Sequence, residues 1–200
     1  MVNKLALLGA SSVVVGAAGV SVYKFYDSPK SLKKLKDLFD STKGRVLLDA
    51  IGDKHDSVWT QILAEHSQSN NKISGVDSKE KLKSYCRDTG ESVKESDLEI
   101  YSSWCSRNTF RTQINTSIPK ATWIDSQDST AWSKNKEDYS KQTSQEVLIP
   151  KLNASGDIAK GKLTLEQLRD FCNSKKDEPF LNDQNDIYTK VKRWCTTTAS

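Results

Sequence analysis

The pattern of apolar and polar positions changes once along the chain, near its start. From Leu5 to Tyr23 no side chain is charged, and Lys4 and Lys24 flank the run. At about 1.5 Å of rise per residue, such a helix approaches the roughly 30 Å of a bilayer core. The expectation is an N-terminal transmembrane helix acting as an uncleaved signal-anchor. Two other readings stay open. One is a cleaved secretory signal, with small residues at Ala17-Ala18-Gly19 for the cut. The other is a buried core helix, which the all-round apolar character disfavours.

After Tyr23 the pattern becomes amphipathic. Pro29 suits a first helical turn, and Leu32, Leu35, Leu38 and Phe39 follow at helical spacing, ending before Gly44. Val58, Trp59, Ile62 and Leu63 mark a second helix. Asp77 before Glu80 and Thr164 before Gln167 read as capping boxes opening helices through Leu82 to Cys86 and Leu168 to Cys172. Leu98, Tyr101, Trp104 and Cys105 share one helical face. The best strand signal is Val147-Leu148-Ile149 before Pro150, and loops are expected near 68–77, 107–130 and 150–163.

A repeat runs through this part. Leu82-Lys-Ser-Tyr85-Cys86 and Leu98-Glu-Ile-Tyr101-Ser-Ser-Trp104-Cys105 are matched by Leu168-Arg-Asp-Phe171-Cys172 and Tyr188-Thr-Lys-Val191-Lys-Arg-Trp194-Cys195. Further upstream, Asp56-Ser57-Val58-Trp59-Thr60 resembles Asp128-Ser129-Thr130-Ala131-Trp132-Ser133. The spacing between partners grows along the chain, so insertions separate the units. The expected fold class is therefore mainly α: an N-terminal transmembrane helix followed by a small helical domain of two related units. The expected divisions are 1–26 (membrane anchor or signal), 27–54 (basic amphipathic connector), 55–110 (first helical unit) and 111–200 (second helical unit with loop insertions).

Composition limits what the polar part can be. Lys4 and Lys24 are the only charges before Asp27, so the remainder carries 28 basic and 26 acidic residues and no strong net field. Lys also far outnumbers Arg, the residue favoured for base and phosphate recognition, so nucleic acid is not an expected partner. Apolar content is 36% overall, and the first segment takes a large share of it. The remaining core is small, built on aromatic residues, and gains from covalent staples.

Four cysteines allow three pairings. The repeat favours Cys86–Cys105 and Cys172–Cys195, each within its own unit, and each worth about 3 kcal/mol by chain entropy. Four reduced cysteines packed as small apolar groups are the alternative. No two cysteines stand at the close spacing of zinc ligands, and no metal or cofactor is expected. His55 and His66 are expected at the surface or partly packed. Trp59, Trp104, Trp132 and Trp194 sit at repeat landmarks and are expected in the core, leaving Trp123 as the exposed aromatic.

The sequence carries no motif of known chemistry. Gly161-Lys162-Leu163 up to Gln167 imitates the end of an EF-hand loop, but Gly156, Ile158 and Lys160 stand where its first carboxylates belong. No phosphate loop, serine elbow or zinc-protease helix occurs in the sequence. Asn115-Thr116-Ser117 and Asn153-Ala154-Ser155 fit the glycosylation pattern, which matters only in a eukaryotic secretory context.

The start Met1-Val-Asn-Lys-Leu-Ala-Leu-Leu-Gly-Ala, the small-residue apolar run, and the Leu-Lys-x-Tyr-Cys and Trp-Cys landmarks resemble large paralogous families of short uncharacterised proteins in haemotropic mycoplasmas. The likeness extends along the chain in layout, through short motifs. It implies a wall-less bacterium and a membrane-tethered or exported member of a surface repertoire. It brings no catalytic residues.

The functional expectation is a single-pass, non-enzymatic protein of the cell membrane. It would contact lipid through the N-terminal helix and a host surface protein through an extracellular helical domain, with a role in host-cell contact or antigenic variation. The alternative is a membrane-tethered cytoplasmic scaffold binding the inner leaflet through Lys30, Lys33, Lys34 and Lys36. These lysines follow the apolar run and favour a cytoplasmic domain by the positive-inside rule, whereas paired cysteines favour the outside.

Overall fold

In a computed structural model the described residues are 33–39 and 44–198. The apolar run Leu5 to Tyr23 and its membrane reading lie outside them. Among the described residues no helix is long and apolar enough to cross a membrane. The expected fold class, mainly α with an N-terminal transmembrane helix followed by a small helical domain of two related units, is corrected accordingly. The structure is a mainly helical domain that also carries two small antiparallel sheets.

One plan occurs twice. The first half runs β1 (Arg45–Leu47), α1 (Asp56–Gln68), α2 (Lys79–Gly90), α3 (Leu98–Cys105) and β2 (Ser106–Asn108). A linking helix α4 (Phe110–Ser117) follows. The second half runs β3 (Ala121–Trp123), α5 (Ser129–Ser140), α6 (Leu165–Lys175), α7 (Asp186–Trp194) and β4 (Thr196–Thr198). In each half the first and last strands pair antiparallel, Val46 opposite Arg107 and Thr122 opposite Thr197. The pairing brings the ends of each half together around its three helices.

The strand Arg45–Leu47 places the end of the expected connector 27–54 inside the first half. The helix expected from Pro29 to before Gly44 is, among the described residues, a single 3-10 turn at Leu35–Leu38. Val147-Leu148-Ile149 is no strand; its backbone instead bonds outward, Ile158 donating to the Ile149 carbonyl at 2.8 Å. The expected loop 107–130 contains α4 and β3. Their cues are short: Thr109 caps α4 by accepting from the Thr112 amide, and Trp123 forms a three-residue strand edge.

Helix starts follow local chemistry. Thr164 and Gln167 make the expected reciprocal capping box at α6. At α2 the capping residue is Ser78, not Asp77; Asp77 instead pairs with Lys81 at 2.8 Å. Gly44 has φ of +90°, and an added Cβ would collide with Thr112 Oγ1, so the turn that returns the chain towards α4 requires glycine.

Each half has its own core. The first buries Leu35, Leu48, Trp59, Ile62, Leu82 and Trp104 among others; the second, with seventeen buried residues against ten among the described residues, includes Trp132, Tyr139, Phe171, Val191 and Trp194. The loop between α6 and α7 joins them. Phe180 donates its amide to the Asn108 carbonyl and Phe110 to that of Glu178, while Asn182 bonds Gln61 across the halves. Phe110, Phe180 and Tyr188 cluster beside this crossing, with centroids 4.9 to 6.3 Å apart.

Candidate functional site

The four cysteines form two disulfides, Cys86–Cys105 and Cys172–Cys195, with Cα atoms 5.4 and 5.5 Å apart. Each ties the second helix of its half to the end of the third. All four are buried, so their place is structural rather than reactive. Trp59, Trp104, Trp132 and Trp194 are buried as expected, but Trp123 is half-buried against the second core instead of exposed.

Polar contacts repeat as closely as the elements. Leu48 donates its amide to the Cys105 carbonyl, and Ile124 does the same to Cys195, both at 3.0 Å. Trp59 Nε1 donates to the Asp49 carbonyl and Trp132 Nε1 to that of Asp125. The Trp59 amide bonds the His55 carbonyl and the Trp132 amide that of Asp128. His55, not Asp56, therefore corresponds to Asp128, and the Asp-Ser match in the sequence is out of register by one residue.

Both histidines are buried, where surface or partly packed positions were expected: His55 is 7% and His66 1% exposed. His66 Nε2 accepts the Ile73 amide at 2.8 Å, and the ring meets Trp104 edge-on at 4.9 Å. The same place in the second half holds Tyr139. Its hydroxyl accepts the Ile149 amide and donates to the Ile158 carbonyl, and its ring meets Trp194 at 5.1 Å. His55 Nδ1 accepts the Asp49 amide at 2.8 Å.

The halves also differ at the surface in the segment from Asp49 to His55. Asp49 Oδ1 accepts the amides of Ile51 and Gly52, which holds its carboxyl below the usual range. Lys83 Nζ grips the Gly52 carbonyl at 2.7 Å. So pinned, the segment holds Ile51 out in water at 84% exposure. Beside it lies an open cleft of about 330 Å³ bordered by Asp56, Lys79, Glu80, Lys83 and Arg87. Lys79 bonds Asp56 at 2.5 Å, lowering the Asp56 carboxyl and raising its own ammonium. In the second half the matching turn runs only from Asp125 to Asp128, and Asp125 Oδ1 holds one amide, that of Gln127.

A wider groove of about 660 Å³, lined by Pro150, Leu181, Asn182, Asn185, Ile187 and Lys190, opens at the second half. Two of its side-chain amides are engaged: Asn185 Oδ1 caps α7, and Asn182 bonds both Gln61 and the Gln184 backbone amide. Among the described residues no group of three or more His, Cys, Asp or Glu could hold a metal.

Of the basic connector, Lys30 lies outside the described residues. Lys34 and Lys36 both pair with Glu91, whose carboxyl they hold at about 2. Asn115 receives the Trp123 amide on its side-chain oxygen, while Asn153 sits exposed on the turn closed by Pro150 and Asp157. Neither buried histidine's partner is legible in sequence. The signal that was available is an apolar-Asp pair, Leu48-Asp49 ahead of Trp59 and Ile124-Asp125 ahead of Trp132.

No protein-family model, no curated protein and no solved structure matches this chain.

Proposed function

We propose that this chain is a non-enzymatic contact protein that works outside the cytoplasm, docking a protein partner through the Asp49–His55 segment and the charged cleft beside it. The observation that carries this reading is Ile51. A large apolar side chain held in water by a hydrogen-bonded turn is a preorganised contact, because its ordering cost is met before a partner arrives. The flanking Asp56, Lys79, Glu80 and Arg87 supply a charged rim of both signs, the usual border of an apolar anchor.

The disulfides support this location. Two buried pairs, one per half, suit an oxidising compartment and would be lost in a reducing cytoplasm. The resemblance to mycoplasma surface proteins agrees with a place at the cell exterior and a host surface protein as partner.

Two measurements test this. Intact cells are treated with a membrane-impermeant amine label, and the protein's thiols are trapped under denaturing conditions without reductant. Labelled lysines and no trapped thiols support the reading; an unlabelled protein with four trapped thiols overturns the location. The contact is then tested by binding of the purified, oxidised protein to host cells. Ile51→Asp should reduce that binding at least about tenfold, the effect of losing one central anchor. Unchanged binding overturns the assignment of the segment.

A further inference from the structure

The chain's only two histidines both lie in the first half, and both do the same job. Each ring nitrogen that receives a backbone amide, His55 Nδ1 from Asp49 and His66 Nε2 from Ile73, must carry a free lone pair, so each ring is neutral as drawn by its partner. A backbone N–H can only donate. A proton taken up at either nitrogen turns it into a second N–H facing the first, and the bond is lost.

We propose that the first half carries an acid-released latch, in which proton uptake by His55 and His66 frees the Asp49–Lys54 turn and the 69–76 linker from α1 while the second half stays closed. The contrast is built into the repeat. Tyr139 occupies the His66 position and makes its bonds with a hydroxyl that does not titrate near neutrality. Asp128 occupies the His55 position and caps α5 through the Ala131 amide.

The surroundings favour the neutral rings at pH 7. For His55, burial lowers the affinity for a proton first and Lys54 adds to it, against the opposing pull of Asp49 and Glu178. For His66, burial acts first and Lys72 second. Trp104 against the His66 ring adds no charge. A folded affinity below the unfolded value of about 6.5 means that the unfolded segment binds more protons. The contribution of these bonds is therefore complete above about pH 6.5 and is lost as pH falls through the folded values.

Release would be local. The disulfide Cys86–Cys105 keeps α2 and α3 together whatever α1 does. The parts set free are the segment carrying Ile51 and the linker whose Asn71 carbonyl receives Trp104 Nε1. The latch does not depend on Ile51 being a contact.

The test is amide hydrogen exchange on the full oxidised chain at pH 7.5 and pH 5.0, corrected for intrinsic rates. Ile149, the counterpart of Ile73, is the internal reference. Protection at Asp49 and Ile73 should fall at least about tenfold more than at Ile149. The paired substitution His55→Asn and His66→Gln keeps an acceptor near each nitrogen without titration, and should abolish that excess loss. Equal loss at all three amides, or an excess loss that survives in the variant, overturns the proposal. Should the variant fail to fold, the imidazole titrations of the native chain decide by NMR. Both rings must titrate below about 6.5, and either one at or above it overturns the latch.

Discussion

The two halves use one backbone plan to different ends, and the position shared by His66 and Tyr139 shows how. Both side chains receive a backbone amide from the linker that follows the first helix, and both lean edge-on against the last tryptophan of their half. Tyrosine also donates, so Tyr139 fastens a second strand of chain at Ile158. That extra bond fixes the long insertion between α5 and α6, which adds Leu148, Ile149, Ile158 and Leu163 to the second core. The first half has no such insertion and a smaller core. One hydroxyl in place of one imidazole thus goes with a larger half, in which this position does not titrate near neutrality. The first half keeps the exposed Ile51 and a titrating fastening.

The largest expected difference between the halves lies at their tryptophans. Trp194→Ala should destabilise by about 4 kcal/mol, from lost burial and from leaving the Val147 carbonyl without its indole donor. Trp104→Ala should cost about 1 kcal/mol less, because the residue is 8% exposed and lies at the smaller core. Urea unfolding of both variants measures this, and equal or reversed losses would break the ranking of the cores.

Next come the disulfides. Replacing Cys86 and Cys105 with Ala, or Cys172 and Cys195, should each cost about 3 kcal/mol. The closed segments span 19 and 23 positions, so chain entropy separates the two by only a few tenths of a kcal/mol. A larger gap in the measured losses would report the unequal cores rather than the loops.

Tyr139→Phe isolates the hydroxyl. It strands the Ile149 amide and the Ile158 carbonyl in the second core and should cost about 2 kcal/mol. His66→Phe strands only the Ile73 amide and should cost about 1 kcal/mol, with the added effect that melting loses its dependence on His66 between pH 7 and pH 5. Thermal unfolding across that range checks both values. If the two variants cost the same, the second bond of Tyr139 contributes nothing.

Much of this comparison is legible in the sequence because buried helical landmarks repeat at helical spacing. Leu82, Cys86, Trp104 and Cys105 match Leu168, Cys172, Trp194 and Cys195 in type and order, and their helices lie where the periodicity places them. The strands are not legible. Three residues such as Arg45–Leu47 or Thr196–Thr198 carry no period, and only the closure of each half explains why they pair. The histidines are missed for a different reason. Their partners are backbone amides of Asp49 and Ile73, and a backbone amide leaves no side-chain signature. The one-residue slip at Asp56 has the same origin, since the Asp-Ser dipeptide repeats while the helix register follows the tryptophan.

The smallest expected effect on stability is at Ile51, where the distinction between holding the fold and making a contact is sharpest. Its side chain is 84% exposed and the turn is held by main-chain groups of Ile51 and Gly52, by Asp49 and by Lys83. Ile51→Asp leaves all of these bonds in place, so unfolding should shift by no more than about 0.5 kcal/mol. Lys83→Met, by contrast, removes the clamp on the Gly52 carbonyl and should loosen the turn, raising exchange at the Ile51 and Gly52 amides without moving global unfolding beyond about 1 kcal/mol. If Ile51→Asp instead destabilised the chain by 2 kcal/mol or more (about the value of a buried apolar side chain), Ile51 would belong to the first core, and the two halves would differ in packing alone.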